Sequence, residues 1–199
     1  EVTKLELEAL TQGAVHQGVA MEIAAYDYAD ALELLDRVSA TGRKPLFIAL
    51  DQVTDPHNLG AVLRSAGAFG ADGVIIPQRR SADVNATVWK VSAGAAARVP
   101  VAKETNLVRT LEAFKARGCF VVGLDGNASV SVDNLNLADQ PLVLVTGAEG
   151  KGLSRLVRET CDEIASINIR AAVESLNAAV ATGIALYEVD RVRRTTQGN

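Results

Sequence analysis

The chain has 199 residues, of which 48% are apolar and 22% charged, and its 20 basic and 24 acidic side chains give a formal net charge of −4 at pH 7. This length and apolar content suit one globular domain with a sizeable core, or a domain with a short appendage, and they exclude a disordered chain. The acidic balance also counts against an obvious nucleic-acid binder, because such domains are usually basic.

The first 45 residues differ in pattern from the rest of the chain. Residues 11–23 end in a short stretch of alternating apolar residues that predicts one strand. Residues 25–44 have apolar side chains at helical spacing, and the pattern stops at Gly42 and Pro45. Because one strand and one helix cannot bury a core of their own, we expect this segment to be a linker or the end of a further domain.

Strands and helices alternate from there onward. Strands are predicted at residues 46–50, 73–77, 98–102, 119–124, 142–147 and 163–169, and helices at residues 59–69, 84–94, 106–118, 153–161 and 175–194. The first strand is continuously apolar, which is typical of a strand covered on both faces. The alternation predicts an α/β fold with a largely parallel sheet. Ligands of such sheets bind at loops beyond the carboxyl ends of the strands, so three of these loops matter most.

The first of these loops follows strand 46–50 and leads into a helix with many small residues. Asp55-Pro56 is a turn signal, and Asn58 is a candidate cap for the helix. Arg64 lies about one and a half turns further on, and the small residues around it allow a ligand or another backbone to approach closely. From spacing alone, Arg64 is either a functional cation or an ordinary surface residue.

The second loop follows strand 142–147 and is rich in glycine. Its glycines offer backbone N–H groups to a ligand, and they are Gly147, Gly150 and Gly152. A phosphate-binding P-loop is not present, since Leu153 follows the last glycine directly, and the dinucleotide fingerprint is also absent. Glu149 would repel a phosphate, so the loop fits either a nucleoside-type ligand without phosphate or a structural turn.

The third loop lies between a strand that ends near Ile169 and the last predicted helix. Ser175 is a natural N-cap for that helix. Asn177 is expected in the first helical turn, where it can bond either the backbone or a substrate. The helix is rich in alanine and contains Gly183, which predicts close packing against another element.

Cysteine and histidine usage excludes several site types. Cys119 and Cys161 are isolated and form no disulfide framework, so we expect a cytoplasmic protein with two small buried thiols rather than nucleophiles. With His16 and His57 as the only histidines, a zinc site is not expected, and no paired-carboxylate cluster indicates another metal. No apolar run is long enough to span a membrane, and residues 1–10 lack the pattern of a signal peptide.

Together the three loops resemble the three signature motifs of the SpoU (TrmH) family of RNA ribose 2′-O-methyltransferases. Their order, spacing and strand–loop–helix context agree over residues 52–188. The first motif, DPHNLGAVLRSA, is most similar to RlmB-type enzymes, which methylate a guanosine ribose in 23S rRNA. Residues 13–23 resemble the end of the N-terminal RNA-binding domain of that subgroup.

The resemblance implies a SPOUT-type α/β fold whose C-terminal segment makes a deep trefoil knot. Under it, residues 1–24 are the tail of a truncated N-terminal RNA-binding domain, residues 25–45 a linker, and residues 46–199 the methyltransferase domain. The resemblance also implies a homodimer, an RNA substrate and S-adenosylmethionine as cofactor, with no metal and no membrane partner.

The resemblance further assigns roles to individual residues. The catalytic candidates are Asn58, Arg64, Glu149, Ser175 and Asn177. The cofactor-binding candidates are Thr146, Gly147, Ile167, Ile169 and Leu176. The family's third motif usually reads Ile-Pro-Met, whereas this chain has Asn168 in place of the proline. A proline fixes φ, so its loss predicts a less pre-organised cofactor loop.

The chemistry implied by the resemblance needs no metal, since the sulfonium of the cofactor already activates the methyl group. The family proposal makes the arginine at position 64 the base. Because a guanidinium stays protonated, stabilising the developing alkoxide or gripping a phosphate suits Arg64 better.

Three alternatives remain at this stage. The first is a transfer-RNA or antibiotic-resistance methyltransferase of the same family. The second is a non-catalytic RNA-binding or ribosome-assembly factor with the same fold. The third, a dinucleotide-dependent dehydrogenase, is disfavoured by the missing fingerprint.

Overall fold

Seven parallel strands form one sheet in the computed structural model of the protein, which describes residues 1–11, 13, 16–170 and 175–197. The strands are β1 (Leu46–Asp51), β2 (Gly73–Pro77), β3 (Val101–Glu104), β4 (Phe120–Leu124), β5 (Val130–Ser131), β6 (Leu142–Gly147) and β7 (Glu163–Ser166). The helices are α1 (Lys4–Leu10), α2 (Ala31–Ser39), α3 (Pro56–Ala68), α4 (Ala86–Val91), α5 (Leu107–Ala116), α6 (Arg155–Thr160) and α7 (Ala178–Gln197), with short 3₁₀ turns at Ala95–Ala97 and Val132–Asn134.

The strand order is β3-β2-β1-β6-β4-β7-β5, and every neighbouring pair is parallel. The register of the central pair places Asp51, the last residue of β1, beside Gly147, the last residue of β6. The carboxyl ends of both strands therefore meet at one edge of the sheet. The predicted α/β fold with a parallel sheet is confirmed.

Helices cover both faces of the sheet because side chains alternate along each strand. Ile48 belongs to the apolar cluster under α3, α4 and α7, whereas its neighbours Phe47 and Ala49 belong to the cluster under α2, α5 and α6. On the second face the ring of Phe47 meets that of Phe114 edge-on at 5.1 Å. We call these the α3/α7 face and the α2/α5 face.

The small residues of α3 and α7 permit close helix packing. A Cβ added at Gly60 of α3 would lie 2.8 Å from the Cβ of Val91 in α4. One added at Gly183 of α7 would lie 3.2 Å from the Oγ of Ser65 in α3. The close packing predicted for both helices is therefore present, and it fixes α3 between α4 and α7.

The strand predicted in residues 11–23 is wrong for the part of that segment that the structure describes. Residues 16–23 form no strand, and their apolar side chains Val19, Met21 and Ile23 are exposed. Alternation alone makes no strand, because a strand needs a hydrogen-bonded neighbour, and residues 16–23 pair with none of the described strands. Gln12, Ala14 and Val15 lie outside the described residues.

The helix predicted within residues 25–44 is present as α2, while a capped helix α1 and the burial of α2 against the sheet were not predicted. Helix α1 begins with a capping box in which the Thr3 hydroxyl and the Glu6 carboxylate each bond the other's backbone N–H. Helix α2, within the segment predicted as a linker, buries Leu34 and Leu35 in the α2/α5 face. Residues 25–45 are thus packed against the sheet.

Within the described residues, no helix combines the length and apolar character needed to cross a membrane.

Candidate active site

A cavity of about 380 Å³ opens at the carboxyl edge of the sheet, beyond β4, β6 and β7. Three segments form its walls, namely residues 124–127, residues 146–152, and residues 165–181 where the structure describes them. All five cofactor-binding candidates line it, and they are Thr146, Gly147, Ile167, Ile169 and Leu176. The cavity thus lies at the end of the sheet where the carboxyl-edge rule predicts a ligand.

Gly147 allows the turn after β6 to fold back on itself. A Cβ at this position would lie 2.2 Å from both the carbonyl carbon and the oxygen of Gly152, so no side chain can be accommodated. The Gly152 N–H donates to the Ala148 carbonyl at 2.8 Å. The turn is anchored at its far end by the buried carboxylate of Asp51, which accepts from the Ser154 N–H at 2.6 Å.

A pair of buried hydroxyls ties the floor of the cavity to α7. The Thr182 hydroxyl donates to the Ala178 carbonyl at 2.7 Å, and the hydroxyls of Thr146 and Thr182 are 2.7 Å apart. Because Thr182 has already used its proton, Thr146 must be the donor in this second bond. The Thr146 hydroxyl proton is therefore engaged by Thr182 of α7, and the Thr146 side chain has no hydroxyl proton left to donate to a ligand.

Three catalytic candidates from three separate segments of the chain meet at the rim of this cavity. The Glu149 Oε1 accepts from the Nδ2 of Asn58 at 3.1 Å, from the Nδ2 of Asn177 at 2.5 Å and from the Ala178 N–H at 3.3 Å. The Asn177 Nδ2 also donates to the Asn58 Oδ1 at 2.8 Å. These bonds lock the carboxylate with one oxygen inward. Among the described residues nothing donates to its other oxygen, Oε2, which can therefore accept from a ligand hydroxyl.

The capping roles predicted for this region need correction. Asp55 caps α3 by accepting from the His57 N–H at 2.8 Å, while Asn58 lies within the helix and is buried. Asn177, rather than Ser175, caps α7, because its Oδ1 accepts from the N–H groups of Ala179 and Val180 at 2.9 and 3.2 Å. Ser175 precedes the helix, is exposed and lines the cavity. Residues 171–174 of the predicted loop lie outside the described residues.

Arg64 does not belong to the Asn58–Glu149–Asn177 cluster within one chain. It is exposed on α3, and among the described residues its guanidinium makes no hydrogen bond or ion pair. Six residues separate it from Asn58, which on an α-helix is about 9 Å along the axis and about 240° around it. The guanidinium is thus available to a partner outside the described chain.

Apolar side chains form one wall of the cavity, and their loop is bonded to a neighbouring strand. Ile167 and Ile169 flank Asn168, whose Nδ2 donates to the Ser131 Oγ of β5 at 3.0 Å. The Ser166 hydroxyl donates to the Val130 carbonyl at 3.1 Å. Asn168 therefore supplies a side-chain anchor where the family usually has a proline.

Sequence reasoning missed the segment after β4. Asp125 and Asn127 line the cavity, and Asp125 forms an ion pair with Arg158 of α6. The signal was available, because β4 is a parallel strand whose carboxyl end reaches the same edge as that of β6. The segment carries none of the three motifs, so motif spacing did not predict it.

The two thiols are protected by burial. Burial raises the pKa of Cys119 to about 11 and that of Cys161 to about 12, so both remain protonated at neutral pH. This agrees with the interpretation of both as packing residues. Among the described residues, no group of three or more His, Cys, Asp or Glu side chains is placed to hold a metal ion.

Comparison with known proteins identifies the family of this architecture. The model of the SpoU rRNA Methylase family matches residues 45–187, which include the whole sheet and all the site residues described above. A protein named as an uncharacterized tRNA/rRNA methyltransferase from Mycobacterium avium is 52% identical over 195 residues, covering 98% of this chain and 62% of that protein. The corresponding Mycobacterium tuberculosis protein is 50% identical, with 98% and 60% covered. The chain thus spans about three fifths of the length of these relatives.

Solved structures show the same fold. The SpoU methyltransferase AviRb from Streptomyces viridochromogenes, in complex with AdoMet, matches with a TM-score of 0.74 at 30% identity, covering 98% of this chain and 81% of that one. An AdoMet-bound rRNA methyltransferase from Sinorhizobium meliloti has a TM-score of 0.69 at 32% identity, with 74% and 56% covered. A TrmH/SpoU tRNA modifying enzyme from A. aeolicus has a TM-score of 0.69 at 30% identity, with 83% and 86% covered.

Proposed function

Because the chain belongs to the SpoU rRNA methylase family, we propose that it transfers a methyl group from S-adenosylmethionine to a ribose 2′-hydroxyl of RNA. The substrate proposed is a guanosine of 23S rRNA. The observation that carries the proposal is the convergence of Asn58, Glu149 and Asn177 beside a cavity lined by every cofactor-binding candidate.

The cavity suits the proposed cofactor chemically. A glycine turn at residues 147–152 exposes backbone groups for the polar edge of a nucleoside, and the apolar wall of Ile167, Ile169 and Leu176 suits a flat base. Glu149 lines this cavity and has no ion pair among the described residues, so its carboxylate suits a ligand with a sulfonium and an ammonium group and would repel a nearby phosphate. Asp125 also lines the cavity, but its charge is paired with Arg158. S-adenosylmethionine carries both cationic groups and no phosphate.

The side chains of the Asn58–Glu149–Asn177 cluster are proposed to meet the other requirements of methyl transfer. The cofactor supplies an activated methyl group, so the protein has to position the ribose oxygen and manage the hydroxyl proton. The free Oε2 of Glu149 is placed to accept a hydrogen bond from a hydroxyl, and Asn58 and Asn177 hold that carboxylate in one orientation. Ser175, exposed at the same rim, is a further hydroxyl for the substrate.

Arg64 is proposed to act on the RNA rather than on the cofactor. A guanidinium remains charged and stabilises either the developing alkoxide or the adjacent phosphate. Arg64 does not line the cavity and has no partner among the described residues, which supports this division of roles.

Arg64→Ala is therefore expected to lower the rate of methyl transfer by about 100-fold or more, as for other lost transition-state donors. Calorimetry should show an unchanged affinity for S-adenosylmethionine. Arg37→Ala removes an exposed arginine on the α2/α5 face and serves as the control. If Arg64→Ala lost cofactor affinity as severely as turnover, the division of roles would be wrong.

The substrate is tested by methyl transfer to unmodified 23S rRNA with labelled cofactor, followed by mapping of the modified nucleotide. The proposal expects label in one ribose of 23S rRNA. Transfer RNA is assayed in parallel, since the mycobacterial relatives are named for both RNA classes. Label in tRNA alone would show that the substrate is tRNA rather than 23S rRNA. Label on a base rather than on a ribose would contradict the proposed 2′-O-methylation. Binding without any transfer would favour the non-catalytic alternative.

The broader organisation is also proposed rather than observed. We propose a cytoplasmic homodimer in which α7 contributes to the interface, because α7 presents an exposed apolar row formed by Val180, Ile184 and Tyr187. Residues 1–24 are proposed as the tail of an N-terminal RNA-binding domain, and residues 46–199 as the methyltransferase domain. The trefoil knot stays a prediction from the resemblance.

A further inference from the structure

One surface of this acidic protein is locally basic. Residues 78–98 contain four basic side chains, Arg79, Arg80, Lys90 and Arg98, against a single acidic one, Asp83. Asp83 is itself neutralised by Lys103 at 2.5 Å. All four basic residues are exposed. The chain as a whole has a formal net charge of −4, so this concentration of positive charge is opposite to the overall balance.

The arginines of this surface differ from most others in the protein because they lack acidic partners. Among the described residues, the guanidinium groups of Arg79, Arg80 and Arg98 make no ion pair and no hydrogen bond. Six other arginines are held by carboxylates, and these are Arg43, Arg117, Arg155, Arg158, Arg191 and Arg194. An unpaired guanidinium keeps all its donors for a bidentate anion such as a phosphate.

The segment that carries these residues is fixed beside the candidate active site. The Ala82 N–H donates to the carbonyl of Val53, in the loop between β1 and α3 that leads to Asn58, at 3.0 Å. The Val84 N–H donates to the Tyr28 hydroxyl at 3.0 Å. Further along, Val91 packs on Gly60 of α3.

The segment also follows α3 to its far end. Val99, next to Arg98, would contact a Cβ added at Gly67 near the end of α3 at 3.4 Å. The basic residues therefore lie alongside the full length of α3, which is about 20 Å long. Arg64 is exposed on the same helix.

We propose that Arg79, Arg80, Lys90 and Arg98 form a phosphate-binding track for the RNA strand that flanks the methylated ribose. The proposal rests on the proposed function, which supplies RNA as the substrate. A track running from the rim of the cavity along α3 would hold the backbone on one side of the target nucleotide. Contacts to phosphates position the nucleic acid without reading its sequence. Specific recognition would then lie elsewhere, and the track would set affinity and its dependence on salt.

The test compares two double variants of the 199-residue chain that remove the same charge. Arg79→Gln with Arg80→Gln alters the track. Arg37→Gln with Arg109→Gln alters exposed arginines of α2 and α5 on the opposite face of the sheet. Binding to an in-vitro transcript of 23S rRNA is measured across a salt series, together with KM for RNA and affinity for S-adenosylmethionine.

The track variant is expected to weaken RNA binding by about tenfold and to lower the slope of log K against log salt by about 1.4 to 1.8, the release expected for two phosphate contacts. KM for RNA should rise while kcat and cofactor affinity stay close to wild type. The opposite-face variant should leave the slope and KM unchanged.

Two results would overturn the track. One is a wild-type slope and KM in the Arg79/Arg80 variant, which would point to another partner for this surface, such as an acidic protein. The other is an equal loss in both variants, which would mean that only overall charge matters. Neither result affects methyl transfer by the wild-type chain, whose failure would instead contradict the proposed function.

Discussion

The fold of the glycine turn that lines the cavity depends on Gly147. Its missing side chain is a steric requirement, since a Cβ would meet the Gly152 carbonyl group at 2.2 Å. That carbonyl is backbone within a turn tied to Ala148 and, through Ser154, to the buried Asp51. A substitution would therefore have to displace the whole turn, including Glu149.

Gly147→Ala is expected to lower the free energy of unfolding by about 1–3 kcal/mol, which is typical of overpacking. It should also weaken S-adenosylmethionine binding by at least about tenfold, because the displaced turn lines the cavity. Urea unfolding and calorimetry measure the two effects. Gly118→Ala, just after α5, is the matched control, since its left-handed φ of 86° costs about 1 kcal/mol, no atom lies within 4 Å, and Gly118 does not line the cavity. Equal cofactor binding in both variants would contradict the steric explanation.

Asn177 illustrates what residue-level prediction can reach. The resemblance of the third loop to the family motif marked it as a site residue, and in the structure its side chain makes two kinds of contact at once. Its Oδ1 caps α7 while its Nδ2 bonds Asn58 and Glu149. The sequence could not show this sharing, because Asn58 and Glu149 are distant along the chain and their meeting depends on the register of β1 and β6.

At the scale of elements, the alternation of apolar runs predicted most of the sheet and its helices, whereas short or weakly paired pieces were missed. Strand β5 has two residues, too few for a periodic signal, and it exists because β7 lies beside it. The strand expected near residues 19–23 failed for the converse reason, since no edge pairs with it. Tertiary pairing thus decided the short elements.

The contact between β6 and α7 is a second case of tertiary control and can be tested. Thr182→Val keeps the shape of the side chain but leaves the buried Thr146 hydroxyl without its acceptor. We expect the free energy of unfolding to fall by about 1–3 kcal/mol, the cost of an unsatisfied buried polar group. Denaturant unfolding of the single and double valine variants gives the coupling energy. Replacing both hydroxyls should cost less than the sum of the single changes, and strict additivity would contradict a direct bond.

At the scale of the whole molecule, the two sides of the sheet differ in the side chains that they expose. The α2/α5 face covers one of the two apolar clusters, which contains the ring pair of Phe47 and Phe114. The α3/α7 face carries Arg64, the basic residues of the proposed track and the apolar row of α7. The net charge of −4 does not reveal this difference, because it sums the charges of the whole chain, including those of the locally basic surface. The composition therefore excluded a uniformly basic protein without excluding an RNA substrate.

The apolar row of α7 gives the last prediction. Val180, Ile184 and Tyr187 follow one another at spacings of four and three residues and are 51%, 39% and 51% exposed. Tyr187 is held in place by an edge-on contact with Phe69 at 5.9 Å. In the proposed homodimer this row meets the same row of a second copy, because a two-fold interface uses the same residues of both copies.

Ile184→Glu is expected to convert the proposed homodimer to a monomer, because pairing two copies would bury two carboxylates without partners. Sedimentation velocity over a range of protein concentrations measures the change. Leu156→Glu is the matched control, since Leu156 is 54% exposed but lies on α6, on the opposite face of the sheet. A wild-type chain that sediments as a monomer, or an Ile184→Glu variant that stays dimeric while Leu156→Glu dissociates, would show that the interface lies elsewhere.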